Sequence, residues 1–69
     1  METIHGYVDH IIYRNVENGY TVLVLVCEEE EITCVGVFSD IVEGENIEAK
    51  GEFTEHAVYG HQFKVSSFE

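Results

Sequence analysis

Positively charged residues are scarce in this sequence. Arg14, Lys50 and Lys64 stand against 14 aspartates and glutamates, and the formal net charge at pH 7 is −11. Affinity for nucleic acid comes largely from cations that neutralise phosphates and release counterions. The charge therefore disfavours an independent DNA- or RNA-binding role, and it equally disfavours binding to anionic membrane surfaces.

Proline is absent, and the longest purely apolar run extends only from Val22 to Cys27. A membrane-spanning helix needs about 20 apolar residues, and the first ten residues lack the cationic start and apolar stretch of a signal peptide. With only two cysteines, Cys27 and Cys34, the chain also lacks the cysteine content of a small secreted scaffold. We expect free thiols and a cytoplasmic location.

Motifs that carry catalysis are missing as well. The sequence contains no GxxxxGK[ST] phosphate loop and no HExxH, CxxC, GxSxG or paired-carboxylate motif. We therefore expect no catalytic residue, metal or cofactor in this chain. His56 and His61 flank the last hairpin loop and suggest a metal hypothesis, but zinc needs three or four ligands, so solvent-facing histidines are the favoured interpretation.

The composition is that of a folded domain: 45% of the 69 residues are apolar and 12% are aromatic. One domain over residues 1–69 is expected. Asn18 and Gly19 form a strong turn signal, and residues 47–54 alternate between apolar and polar with period two, as in a half-buried strand. The patterns together predict five strands, over residues 3–14, 20–27, 32–38, 47–54 and 61–68.

Residues 39–44 are the only candidate for a helical turn. Asp40 has the properties of an N-cap, Glu43 follows three residues later as in a capping box, and Gly44 supplies a stop. Three strands, a short helical connection and a two-stranded hairpin predict an all-β fold, a five-stranded OB-type barrel with a shortened helical connection between strands three and four. An SH3-like barrel is the alternative.

Two pairings are predicted from the hairpins. If the second turn centres on residues 30 and 31, Cys27 and Cys34 lie directly opposite each other, although two reduced buried thiols are favoured over a disulfide. If the last hairpin is symmetric about Val58, Lys64 lies opposite Glu52. The run of glutamates over residues 28–31 is either a solvated hairpin tip, which we favour, or a patch for a basic partner.

OB barrels bind single strands with aromatic side chains that stack on bases and with cations that follow the backbone. The residues that fit these two roles are Arg14, Tyr20, Tyr59 and Lys64. Tyr13 and Phe38 are equally suited to the core, because aromatic residues in so small a barrel more often fill it than face a ligand.

Several segments carry a family resemblance. They are Gly6-Tyr7-Val8, residues 11–22 (IIYRNVENGYTV), Gly51-Glu52-Phe53 and residues 59–63 (YGHQF). With these segments the chain resembles the N-terminal OB domain of RecD-like ATP-dependent DNA helicases, the exodeoxyribonuclease V alpha subunit family. The resemblance spans nearly the whole chain, although YGxQF is shared with other OB domains.

The resemblance implies that the chain is the excised N-terminal domain of a longer enzyme of DNA repair or recombination. That enzyme would unwind DNA 5′ to 3′ with ATP and Mg²⁺, held by domains outside these residues. The expected local function is docking against the rest of the helicase or a protein partner. A module that binds single-stranded DNA and guides it to the motor is the alternative, and a freestanding enzyme is a third, which no motif supports.

Overall fold

In a computed structural model, which describes residues 1–58 and 60–69, the chain forms a closed β-barrel. The strand order around the barrel is β1-β2-β3-β5-β4, and the β3–β5 pair is parallel while the others are antiparallel. The predicted five-stranded all-β barrel is confirmed. The strands are β1 (Glu2–Arg14), β2 (Tyr20–Cys27), β3 (Glu30–Val37), β4 (Asn46–His56) and β5 (Gly60–Phe68).

The core lies inside the barrel because alternate residues of each strand point inward. Leu23 and Leu25 of β2 and Phe63 of β5 are completely buried. The full set of buried core residues is Val8, Leu23, Leu25, Cys34, Phe38, Ile41, Ile47, Ala49 and Phe63. A core of this size suits a chain of 69 residues, which buries only about 60% of the surface that its unfolded form exposes.

Strand β1 is long enough to pair with two neighbours. Its first half pairs with β4 and its second half with β2, and the register with β2 shifts at Asp9 and again at Ile12. Such bulges bend a strand and increase its twist, which is what a small barrel needs to close. The described part of the chain contains no helix long and apolar enough to cross a membrane.

The prediction of a helical turn over residues 39–44 is wrong. Asp40 has a φ of 55°, in the left-handed region, whereas an N-cap residue adopts an extended conformation. Glu43 accepts a hydrogen bond from the backbone N–H of Ile11 (3.0 Å) instead of completing a capping box. The connection between β3 and β4 therefore packs along β1, and its residue Ile41 is completely buried in the core.

The second turn lies earlier than predicted. Glu28 and Glu29, with φ values of 49° and 73°, form a two-residue turn, so Cys27 pairs with Glu30 and Cys34 with Leu23. The predicted opposition of the two cysteines is wrong, and both are free thiols. The turn centre was misplaced because glutamate carries no turn signal, unlike the Asn-Gly pair that usually occupies such a turn.

The barrel closes through a short contact between β3 and β5. Among the described residues, the pairs in register there are Cys34 with Phe63 and Val35 with Lys64. The β4–β5 hairpin continues beyond this contact, with Glu55 opposite His61 and His56 opposite Gly60. The seam between β3 and β5 is consequently open toward the β2–β3 turn.

Candidate docking surface

Strand β2 is apolar on its outer side as well as on its inner side. Thr21, Leu23 and Leu25 point into the core and are completely buried, so the alternating residues Val22, Val24 and Val26 point outward. A strand with one wet face would normally carry polar residues at such positions. The outer side of the barrel is therefore apolar along the whole of β2.

The neighbouring strands extend this apolar surface. In the β1–β2 register Tyr7 lies opposite Val26 and Tyr13 opposite Val22, and in the β2–β3 register Val35 lies opposite Val22. Tyr20 lies opposite Val37 at one end. We call this surface the outer valine face; it consists of Tyr7, Tyr13, Tyr20, Val22, Val24, Val26, Val35 and Val37.

The outer valine face is apolar at most of its positions, but His10 of β1 and Thr33 of β3 both lie opposite its central Val24. Val24 and Val35 are only 8% exposed although they point away from the core, because their neighbours on the sheet cover them. Around them Tyr13 is 52% exposed, Tyr20 40% and Val37 65%. Exposed apolar residues that gather on one side of a domain mark sites of interaction more often than isolated ones do.

Arg14, a predicted phosphate ligand, has a structural partner. Its Nη2 donates a hydrogen bond to the carbonyl oxygen of Ile41 and so ties the end of β1 to the connection between β3 and β4. The guanidinium carries further N–H donors, but its position is set by this contact. Arg14 therefore supports the buried Ile41 at the end of the barrel.

The other predicted contact residues are dispersed. Lys64 lies opposite Glu52, as predicted, and beside Val35 at the barrel closure. In the described part of the chain no ion pair joins Lys64 to Glu52, although the two residues are cross-strand neighbours. Tyr20 belongs to the outer valine face, and Tyr59 lies outside the described residues. Tyr20 and Lys64 thus lie toward one side of the barrel, whereas Arg14 lies at the end of the barrel where β1 meets the β3–β4 connection.

The histidines lie near carboxylates. His61 Nε2 is 3.7 Å from the Glu55 carboxylate, and His5 Nε2 is 3.4 Å from that of Glu48. His56 accepts a hydrogen bond from the backbone N–H of Val58 (3.1 Å). Because His61 lies opposite Glu55, it is not the cross-strand neighbour of His56, and the hairpin register does not join the two imidazoles.

The two cysteines differ in burial. Burial raises the pKa of the Cys34 thiol from its ordinary value of 9.0 to about 12, with a further contribution from Cys27. Cys27 is partly exposed, and its pKa is also raised, first by burial and then by the carboxylates of Glu28 and Glu30. Both thiols are therefore protonated at neutral pH.

Sequence patterns assign no surface to Tyr7 and make Tyr13 equally suited to the core, whereas the structure places both on the outer valine face. The bulges at Asp9 and Ile12 make the outward positions of β1 recur every third residue, at Tyr7, His10 and Tyr13. Counting alternate residues therefore fails along this strand. Phe38, the other aromatic residue that the sequence alone makes suited to either core or ligand, is a core residue with 2% exposure.

A five-stranded closed barrel in this strand order is the architecture of the OB-fold class of domains. The family model described as the OB-fold domain of the ATP-dependent DNA helicase YrrC matches residues 1–69, and the chain belongs to this family. The predicted OB fold and the resemblance to a helicase OB domain are confirmed at this level. Neither the comparison with curated proteins nor that with solved structures gives a significant match.

Proposed function

We propose that this OB domain is an accessory module that docks its outer valine face against the body of the parent helicase. The observation that carries the proposal is the apolar outer side of β2, flanked by half-exposed tyrosines. Tyrosine is enriched at protein interfaces because its ring is apolar while its hydroxyl can remain hydrated. Covering a surface of this composition with a protein lowers the free energy, because apolar side chains leave water.

The charge of the domain supports a protein as the partner. A formal net charge of −11 repels phosphate, whereas it does not oppose burial of a face made of valines and tyrosines. Charged residues outside such a face can orient the approach to a basic surface and accelerate association. Docking therefore uses both unusual properties of this chain, its acidity and its second apolar face.

We infer further that the parent is a RecD-like enzyme of the exodeoxyribonuclease V alpha subunit family, acting in DNA repair or recombination in the cytoplasm. The support is the sequence resemblance across residues 11–22 and 59–63. ATP and Mg²⁺ would be held by the motor domains of that enzyme, so this domain would be its N-terminal accessory part.

Docking is testable with the domain and the motor region of its helicase as separate chains. Val37→Ser, which removes a 65% exposed valine of the outer valine face, should weaken the complex about fivefold or more. Val58→Ser, at a 77% exposed valine of the β4–β5 turn, is the matched control and should leave affinity unchanged. Calorimetry measures both, and equal affinity of the two variants would reject docking through this face.

Single-stranded DNA is the second candidate occupant, because Tyr7, Tyr13 and Tyr20 lie on one side of the barrel. Aromatic side chains that share a surface can stack on the bases of a single strand. Lys64 adjoins this side by register, since it pairs with Val35. Salt distinguishes the two occupants: DNA affinity should fall steeply as salt rises, whereas docking of an apolar face should not.

A further inference from the structure

The end of the barrel at the β2–β3 turn has an exposed apolar interior. Ile4, Cys27 and Ile32 occupy inward positions on β1, β2 and β3, but they are only partly buried. Phe53 lies on the inner side of β4, after the buried Ala49 and Gly51, but it is 45% exposed. The centroid of its ring lies 4.8 Å from that of Phe63. We call these four residues, Ile4, Cys27, Ile32 and Phe53, the barrel mouth.

Two adjoining depressions make the barrel mouth accessible. The larger has a volume of about 320 Å³ and reaches Ile4 and Cys27, and the smaller, of about 130 Å³, follows the open seam between β3 and β5. Ile32 and Phe53 line both. Binding pockets measure about 300 to 1,000 Å³. The larger depression is at the lower end of this range, so it suits a single apolar side chain of a larger partner.

The rim of the barrel mouth is acidic. Glu28 and Glu30 line the larger depression and Glu31 lines the smaller. The raised pKa of Cys27 reflects the same arrangement, because both Glu28 and Glu30 contribute to it after burial. No lysine or arginine occurs among the described residues that line either depression. An apolar floor is thus bordered by three glutamates, with His5, His61 and Cys27 as the other titratable residues of the lining.

We propose that the barrel mouth binds a basic segment of a protein partner. An apolar side chain of that segment inserts between Ile32 and Phe53, and lysines or arginines on either side of it face Glu28, Glu30 and Glu31. Charge complementarity selects this occupant, since the acidic rim repels nucleic acid and acidic peptides. The site is separate from the outer valine face, so the inference goes beyond docking to the helicase body.

The probe is a short fluorescein-labelled peptide with one central leucine flanked by lysines, titrated into the domain and followed by anisotropy. Replacing the leucine by serine should weaken binding about tenfold, because the apolar contact is lost. A peptide with glutamates in place of the lysines should not bind. Equal binding of the leucine and serine peptides would reject the proposal, since a general attraction between opposite charges would then explain the affinity.

Matched variants locate the site. Glu28→Gln/Glu30→Gln removes two charges at the barrel mouth and should weaken the leucine peptide about tenfold. Glu17→Gln/Glu43→Gln removes two charges elsewhere on the domain and should change its affinity less than about twofold. If both variants lose affinity equally, the net charge of the whole domain governs binding and the proposal is wrong.

Cys27 supplies a readout that needs no substitution. It lines the larger depression, so the bound leucine peptide should slow its modification by a small thiol reagent. Cys34 is completely buried and serves as the internal reference for the integrity of the fold. An unchanged rate at Cys27 with saturating peptide would place the peptide elsewhere and overturn the proposal. The same protection should persist in Val37→Ser, whose substitution lies on the outer valine face.

Discussion

Glycine at position 51 permits a close crossing of two strands. A Cβ at this position would lie 2.0 Å from the carbonyl oxygen of Lys64, and Gly6 is similarly close to the carbonyl oxygen of Val26, at 2.2 Å. In both cases the obstructing atom belongs to the backbone, which cannot move aside as the end of a flexible side chain can. These two residues allow the sheet to curl into so narrow a barrel.

Gly51→Ala should therefore lower the free energy of unfolding by about 1–3 kcal/mol, because strands β4 and β5 must separate to accommodate the methyl group. Urea denaturation measures the change. Glu52→Ala, at the exposed neighbouring position, is the control and should stay within about 0.5 kcal/mol of the parent protein. If Gly51→Ala leaves the free energy of unfolding unchanged, the barrel adjusts more easily than its backbone contacts indicate.

Cys34 should make the stability of the domain depend on pH in the alkaline range. Between its ordinary pKa of 9.0 and its raised pKa of about 12, the unfolded chain has released the thiol proton while the folded chain retains it. Raising the pH therefore favours unfolding, and this thiol lowers the free energy of unfolding by about 1.4 kcal/mol per pH unit within that window.

Thermal or urea unfolding across this pH range should show a shallower decline for Cys34→Ala than for the parent protein. The cavity left by the substitution lowers stability at every pH, so the comparison concerns the slope and not the absolute value. Parallel slopes would show that the thiol is not protected from ionisation in the folded state.

At the scale of the elements, the β2–β3 turn uses residues that are poorly suited to it. Both central residues have positive φ, as in a type I′ turn, for which Asn-Gly is strongly preferred. Glu28→Asn/Glu29→Gly should raise the free energy of unfolding by about 1–2 kcal/mol by relieving this strain. Glu30→Gln/Glu31→Gln, the control, removes the same number of charges from the neighbouring positions without changing the two central residues of the turn. Equal stabilisation by both variants, measured in urea, would attribute the effect to charge alone.

The connection between β3 and β4 contributes to the core without regular secondary structure. Ile41 is completely buried, whereas its neighbour Val42 is 58% exposed. Ile41→Ala should cost about 2–5 kcal/mol, as for other buried residues, while Val42→Ala should cost less than about 0.5 kcal/mol. Comparable effects of the two substitutions in denaturant titrations would show that Ile41 is not buried in the core in solution.

For the whole molecule, the net charge of −11 governs the interaction with DNA. The isolated domain should bind single-stranded DNA with a Kd of about 10⁻⁴ M or weaker at physiological salt. Titration of a labelled oligo-dT measures this affinity. Micromolar binding that weakens with salt would favour the DNA-guiding function over docking, and Tyr20→Ala should then cost about 1–3 kcal/mol.

The accuracy of the sequence-based predictions follows the strength of the local signals. Lys64 was placed opposite Glu52 because the last hairpin is symmetric about Val58, and the register confirms it. The cysteines were misplaced because four consecutive glutamates give no indication of where the chain turns. The outward positions of Tyr7 and Tyr13 are not predicted, because bulges in β1 interrupt the alternation on which such reasoning depends.

The sequence by itself determined the all-β class, the number of strands, the acidity and the family resemblance, because alternation, turn residues and charge are local properties of the chain. Only the tertiary structure decided which residues share a surface. Pairing across the barrel assembled the outer valine face from three strands, tied Arg14 to Ile41 and left Phe53 open beside the glutamates of the β2–β3 turn. Such arrangements depend on contacts between distant segments and on bulges, neither of which a local pattern specifies.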